Sequence, residues 1–362
     1  MKESFGNIKA RLERLRGKLS EKSLDAALIA KKENIFYLSG FTGSSAYLAI
    51  ALNDAALITD FRYLEQASEQ APLFKTVQCR GDMVSAVVET LKSMGAVNAG
   101  FEESHMAYSR YREFIDGFGY EKLVPLGGAV ENLRIVKDRE EIEMIRKAAG
   151  IADRTFKYIL NYIKPGAGEI EIASEIEYFM RKEGASGASF ETIAASGKRS
   201  AMPHAVASEK RLECGDAVVL DFGAIYNGYC SDITRTVFLG EPDSELKKIY
   251  SIVLESQARA LEAARSGLTG KEVDAVARDI IIKAGYGENF GHGLGHGVGL
   301  EVHEEPRLSP AGNVRLEDGM VATVEPGVYA KGLGGVRIED MIVFCGDKPV
   351  VLTQAPKEMI IL

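Results

Sequence analysis

Three of the chain's five histidines fall in one glycine-rich stretch, Gly291-His-Gly-Leu-Gly-His-Gly-Val-Gly-Leu-Glu-Val-His303. Glycine at alternate positions disfavours a helix and lets the backbone approach a ligand closely. His292, His296 and His303 are spaced by four and seven residues, which does not suit two ligands on one face of a zinc-protease helix. A phosphate loop fits no better, because no Gly-Lys-Ser/Thr follows and the Gly-x-Gly-x-x-Gly spacing is absent. A fourth histidine, His204, sits in Met202-Pro-His-Ala205, and His105 lies apart as an ordinary surface or partly buried residue.

Acids come next. In Asp216–Asp232, Asn227-Gly228 between two apolar runs is a strong hairpin signal. That loop pairs Tyr226 with Tyr229 and Gly223 with Asp232. Asp221, two residues from Gly223, then shares a face with Asp232, at about 7–8 Å across the ladder. Gly223 is expected to leave open space beside it. Two anions aimed at one spot repel unless a cation lies between them; two surface acids on a solvated face are the plainer alternative. A second hairpin, Val321-Ala-Thr-Val-Glu-Pro-Gly327 with the return strand Gly335-Val-Arg-Ile-Glu-Asp340, adds Glu325 and Glu339. Alternation puts Arg337 and Glu339 on one face and Val336 and Ile338 on the other. Arg337 is placed to orient a ligand carboxylate, or is a surface ion pair of little value.

Asp221, Asp232, His296, Glu325 and Glu339 together offer four carboxylates and one imidazole. Four buried anions call for two divalent ions. An oxygen-rich set with one nitrogen and no sulfur suits Mn²⁺ or Co²⁺, with Zn²⁺ also open. Two ions about 3.5–4 Å apart can activate water and polarise a carbonyl.

The elements that position these residues repeat. Gly166, Glu171, Ile172, Lys182 and Gly184 match Gly267, Glu272, Val273, Lys283 and Gly285, 101 positions on. Arg211-Leu-Glu-Cys-Gly215 matches Arg315-Leu-Glu-Asp-Gly319, 104 positions on, and at that offset Asp221 matches Glu325. Each copy reads helix, helix, glycine-rich loop with histidine, then β-hairpin, the second with a Thr269–Glu272 capping box. Two copies imply halves related by a pseudo-two-fold axis, each turning acids toward the other. Upstream lies an α/β region: a charged amphipathic helix near Ile8–Lys22, apolar runs at 25–30, 45–51 and 55–60, and a helical turn at 62–67. A long helix is expected from Arg139 to Ile163. The expected domains are 1–130 and 131–362.

The 362 residues carry 44 Lys and Arg against 52 Asp and Glu, a formal charge of −8, which argues against non-specific nucleic-acid binding. Hydrophobic residues make up 46% and charged residues 27%, the balance of a folded globular chain. Met-Lys-Glu-Ser-Phe-Gly-Asn leads into the charged helix and not into a signal-peptide core, and no apolar run reaches membrane-span length. Four scattered cysteines without a Cys-x-x-Cys pair read as thiols of a reducing compartment. A soluble, cytoplasmic protein is expected.

Asp-Phe-Gly-Ala, Ser-Asp-Ile-Thr-Arg-Thr, Gly-His-Gly-x-Gly-His, Val-Glu-Pro-Gly-Val-Tyr and Val-Arg-Ile-Glu-Asp together resemble the pita-bread metallopeptidases, in the aminopeptidase P and prolidase branch. The likeness spans essentially the whole chain, the first part resembling a creatinase-type N-terminal domain. It implies an α/β creatinase-like domain followed by an α+β pita-bread catalytic domain with an internal pseudo-two-fold repeat. By resemblance, Asp221 chelates one metal, His296 and Glu325 the other, and Asp232 and Glu339 bridge both. His204, His292 and His303 match the substrate-facing histidines, and Glu325 doubles as a proton relay. Arg307, four residues beyond His303, matches an arginine with which prolidases grip the dipeptide carboxylate, and Arg337 is a second substrate-site candidate.

The implied activity is hydrolysis of the Xaa-Pro bond, in dipeptides or at the N-terminus of longer peptides, by a hydroxide bridging the metals. A homodimer is implied, with peptide substrates carrying proline second and no nucleic-acid or membrane partner. Two rivals share the fold: a creatinase-like metal-free amidinohydrolase, and a catalytically inactive binding or chaperone module. Both lose the ligand set, which is complete here.

Overall fold

Ile8, Leu12, Leu15 and Leu19 recur at the three-to-four spacing of a helix, and the Phe5–Glu21 helix buries all four. The structure is a computed structural model that describes residues 5–362. The chain divides into two compact units between Arg134 and Ile135.

In the first unit, short apolar runs rich in Ala, Leu and Ile make a six-stranded sheet. Its order is Lys75–Gln78, Ala55–Thr59, Ala46–Ala51, Ala26–Ile29, Ala99–Phe101 and Leu123–Pro125. Ala46–Ala51 pairs antiparallel with both neighbours, and the other pairings are parallel. Leu28 and Ile58 share a core with Val84, Val87 and Leu91 of the Met83–Ser93 helix. The buried Glu102 accepts hydrogen bonds from the Ala30 and Lys31 amides at 2.6 and 2.8 Å and from Asn34 at 2.5 Å. Burial raises its pKa to about 6 despite these donors.

The second unit opens with the Arg139–Ile159 helix, capped by a reciprocal Asp138–Glu141 capping box. The helix stops short of the expected Ile163. The Tyr162 amide turns back to the Ile159 carbonyl, ahead of Pro165, which disfavours helix in the residue before it. Both halves then repeat the same local geometry. Gly166 and Gly267 adopt positive φ of 82° and 91° before the Glu169–Lys182 and Gly270–Lys283 helices. Gly166 N donates to Leu212 O at 2.9 Å, and Gly267 N to Leu316 O at 2.7 Å. Arg211 reaches the Gly166 carbonyl at 2.7 Å as Arg315 reaches that of Gly267 at 2.5 Å. Each half carries its own apolar core, one around Ile172, Ile176, Leu220 and Val237 and the other around Val273, Ala277, Ala322 and Ile342.

In the first half Ile193–Ser196, Ala217–Phe222 and Ile233–Phe238 form an antiparallel sheet. In the second, Glu304–Leu308, Gly295–Gly297, Val321–Val324, Asp340–Val343 and Val350–Val351 form another. The return strand expected over 335–340 is two strands. Gly334–Arg337 pairs with Gly327–Ala330, whereas Asp340–Val343 pairs with Val321–Val324. Between them Glu339 N leaves both ladders and donates to the Thr234 carbonyl of the first half at 3.1 Å. That switch of partners breaks the strand at its acid. Among the described residues no helix is long and apolar enough to cross a membrane.

Candidate metal centre

Asn227 and Gly228 both have positive φ, 48° and 86°, as a two-residue hairpin turn requires. Tyr226 faces Tyr229 and Asp221 faces Thr234 in register, so Asp221 and Asp232 are diagonal neighbours as the pattern predicts. The expected space beside Gly223 is absent. A Cβ there would lie 1.8 Å from the Ser231 carbonyl; the glycine admits its partner strand. The histidine loop behaves alike. A Cβ on Gly297 would fall 2.2 Å from the Glu305 carbonyl, and one on Gly295 2.0 Å from that of Thr323. These glycines let strands close on each other, where approach to a ligand was expected.

Asp232, His296 and Glu339 are buried, and each offers a ligand atom within 4.8 Å of the other two. His296 Nε2 lies 3.3 Å from Glu325 Oε1 and 3.7 Å from Asp232 Oδ2. His296 Nδ1 faces the Gly297 carbonyl at 3.2 Å. A carbonyl only accepts, so Nδ1 carries a proton and Nε2 is aimed at the acids. Asp221 is joined to the group through Arg337, which forms an ion pair with it.

The cluster is short of donors. Asp221 Oδ1, Asp232 Oδ1 and Glu339 Oε1 are buried with no hydrogen-bond partner among the described residues. Burial, then repulsion from Glu339, Asp221 and Glu325, pushes the Asp232 carboxyl well up. Glu339 rises likewise through burial and the charges of Glu325 and Asp221. Burial alone would raise Glu325 too, but the His296 ring nitrogen 3.3 Å away, and then the positive charge of Arg337, hold its carboxyl below the usual range. Orphaned carboxylate oxygens around an imidazole nitrogen fit a divalent cation.

Three hydroxyls orient this set. Thr234 Oγ1 donates to Glu339 Oε2 at 2.7 Å and accepts from Arg337 Nε at 3.0 Å. Thr323 Oγ1 accepts from His296 N at 3.0 Å and donates to Glu325 Oε1 at 3.1 Å. Tyr329 Oη accepts from Arg337 Nη1 at 2.8 Å and lies 2.9 Å from His292 Nε2. Because His292 Nδ1 faces the Gly293 carbonyl at 2.8 Å, Nε2 is the acceptor of the tyrosine proton. Sequence reasoning missed all three. For the threonines the signal was positional, since Thr234 stands two residues from Asp232 and Thr323 two from Glu325, the spacing of one strand face.

Arg337 spends its donors on Asp221, Thr234, Tyr329 and the Pro203 carbonyl, the arrangement of a group that orients a carboxylate. The His303 ring packs edge-on at 4.2 Å from that of His296. His303 is lowered to about 4 by partial burial and by His296 and Arg307. Arg307 is exposed on the strand beside His296, its direct partner in the ladder, and the two side chains therefore share a face. His204 is exposed in the loop after Gly197–Ala201, and the Pro203 carbonyl beside it receives Arg337.

A buried acid–imidazole cluster at the meeting of two repeated halves, after a separate α/β unit, defines a metal-dependent hydrolase of pita-bread fold. The chain belongs to metallopeptidase family M24, whose model matches residues 143–344. Residues 11–136 match the creatinase/prolidase N-terminal domain. It is 48% identical to the solved Xaa-Pro dipeptidase of Bacillus anthracis, with a TM-score of 0.96 over 98% of this chain and 100% of that one. The X-Pro aminopeptidase of Thermotoga maritima is 43% identical, with a TM-score of 0.89 over 95% and 99% of the two chains. The Xaa-Pro dipeptidase of Pyrococcus furiosus is 41% identical over 98% of this chain and all of its own. The family implies a divalent metal, and the residues present fit one.

Proposed function

We propose that this enzyme removes the residue preceding proline, from Xaa-Pro dipeptides and from the N-terminus of longer peptides, using two divalent ions, Mn²⁺ or Co²⁺ in preference to Zn²⁺. The observation that carries this reading is the set of orphaned buried oxygens on Asp221, Asp232 and Glu339 around His296 and Glu325. Asp221 would hold one ion, His296 and Glu325 the other, and Asp232 and Glu339 both. When bound, the ions supply an acidified water and an electrophile for the scissile carbonyl.

The chain's own groups do the rest. An Xaa-Pro bond is a tertiary amide without an N–H, and the proline ring restricts the geometry in which it can be presented. Glu325 takes a proton from the attacking water and passes it to the departing proline nitrogen. His303, with a pKa lowered to about 4, is neutral at physiological pH and donates an N–H to the carbonyl oxygen as charge develops there. His292 and His204 line the substrate, and Arg307 grips a dipeptide's free carboxylate through its bidentate fork. Four free cysteines suit a reducing cytoplasm, and the active form is taken to be a homodimer.

The test is a Mn²⁺-supplemented assay of Ala-Pro, Ala-Pro-Ala and Ala-Ala-Ala. Hydrolysis of the two proline substrates and not of Ala-Ala-Ala is expected. Equal turnover of Ala-Ala-Ala would overturn the proline assignment.

A further inference from the structure

Each half holds a buried acid on its second helix that touches none of the proposed metal ligands, and each acid is paired with an arginine. On the Gly270–Lys283 helix, Asp274 and Arg278 stand one turn apart and pair bidentately, Nε to Oδ2 at 2.7 Å and Nη2 to Oδ1 at 2.8 Å. The Asp274 side chain is 2% exposed, which is not the setting of a surface helix pair. Its partners are backbone. Arg278 donates to the Phe290 carbonyl at 3.2 Å and to the His292 carbonyl at 2.7 Å, and Asp274 Oδ1 accepts from Leu294 N at 2.9 Å. The guanidinium also lies 4.3 Å from the Phe290 ring centre, and that ring packs edge-on against His292. The pair therefore holds Phe290, His292 and Leu294, alternate residues of a segment whose other members are Gly291 and Gly293.

The first half solves the same problem with different positions. Glu169, at the start of the Glu169–Lys182 helix, has a fully buried side chain. One oxygen accepts from Ser196 N and Oγ at 2.7 and 2.8 Å. The other accepts from Ser208 N and Oγ at 3.0 and 2.7 Å and from Arg199 Nε at 3.0 Å. Arg199 in turn donates to the Val206 carbonyl at 2.6 Å. One carboxylate thus ties both ends of the loop that carries His204.

We infer that Asp274–Arg278 and Glu169–Arg199 are positioning clamps, one in each half, that set the backbone of the His292 loop and of the His204 loop from outside the metal centre, the first meeting it only through Leu294, whose carbonyl accepts from Glu325 N at 2.8 Å. The inference rests on the proposed function only in assigning those histidines to the substrate. A buried carboxylate that accepts several N–H donors is a rigid anchor. Glycine-rich backbone without such an anchor has many conformations to lose. A misplacement of about 1 Å at a reacting group costs on the order of a hundredfold in rate.

The test uses the full-length zinc-loaded protein and nitrogen-15 histidine spectra, with His204→Asn and His292→Asn assigning the two signals. Arg278→Lys keeps the charge and loses the second arm of the fork; it should shift the His292 ring signals and leave those of His204 in place. Arg199→Lys should do the reverse. Each should keep wild-type metal content and lower kcat on Ala-Pro by about tenfold to a hundredfold. If a lysine variant does not fold, Asp274→Asn or Glu169→Gln repeats the comparison. Histidine signals that stay put, or that move together whichever clamp is cut, would overturn the inference. A wild-type protein inactive on Xaa-Pro substrates would sink the proposed function while the spectra still decide on the clamps.

Discussion

Thr234→Val is the sharpest probe of how the metal centre is held. The side chains are nearly isosteric, so the variant removes a hydroxyl and leaves the packing of a fully buried site intact. Two hydrogen bonds disappear: the donor to Glu339 Oε2 at 2.7 Å and the acceptor for Arg337 Nε at 3.0 Å. The first is the sole side-chain donor to the Glu339 carboxylate among the described residues, whose other oxygen has no hydrogen-bond partner at all. A hydrogen bond to a charged group contributes about 1.5–3 kcal/mol, and losing an orienting partner of a metal ligand typically costs about 10–100-fold in metal affinity. The two scales agree, since tenfold is about 1.4 kcal/mol.

The variant should therefore bind Mn²⁺ about 10–100-fold more weakly, measured by titration against a competing chelator dye. Its kcat at saturating Mn²⁺ should fall much less, because an ion once bound restores the carboxylate's orientation. Thr234→Ser, which keeps the hydroxyl, should lie close to wild type. A Thr234→Val protein with unaltered metal affinity would refute the reasoning, and so would a Thr234→Ser protein as weak as Thr234→Val.

Exhaustive chelation should abolish activity and added Mn²⁺ or Co²⁺ restore it, with metal analysis giving two ions per chain; Asp232→Asn should lose at least one ion and nearly all turnover. Arg307→Ala should raise KM for Ala-Pro about tenfold or more, the loss of a charged hydrogen bond, and affect Ala-Pro-Ala-Ala far less; equal effects would reject a carboxylate-gripping role. In the first unit, Glu102 is raised from 4.5 to about 6. The folded state there holds a proton the unfolded state has released, so about 2 kcal/mol of stability present below pH 4.5 is lost as pH climbs through 6. Glu102→Gln should flatten that slope in denaturant melts at about pH 4.5 and 6.5, and an unchanged slope would show that another group causes it.

Period-two alternation made much of the site legible from the residues alone. It placed Asp221 against Asp232 and put Arg337 with Glu339 opposite Val336 and Ile338, which do join an apolar core. The Asn227-Gly228 turn set the register that makes the first pair meet. The repeat was legible because the same glycine turn and the same arginine recur around each second helix. What escaped was of two kinds. Thr234 and Thr323 are ordinary strand formers, and a sequence cannot tell a hydroxyl that packs from one that orients a ligand. Asp274 and Arg278 have the spacing of a solvent-facing helix pair; only burial shows them serving a loop. The glycines of 291–299 were read as letting the backbone approach a ligand, but strand backbones occupy the space at Gly295 and Gly297, and a Cβ on Gly291 would meet nothing within 4 Å.

The break in the strand at Glu339 carries the most consequence for function. A continuous hairpin would have kept Glu339 on its own half's sheet. By donating its amide to Thr234 O, and with the Arg235 guanidinium donating to its carbonyl, Glu339 is built into the first half while its chain belongs to the second. Charge balance is the physical argument for the proposed pair of ions. Asp221, Asp232, Glu325 and Glu339 carry four negative charges when ionised, and among the described residues the one arginine bonded to their carboxylates, Arg337, is paired with Asp221. One divalent ion would leave a buried excess of one negative charge, which a low-dielectric site resists. Two divalent ions, as proposed, would leave one positive charge, which the hydroxide of the proposed reaction would cancel. Joining the two halves at Glu339 is what sets its carboxylate beside Asp232 and His296.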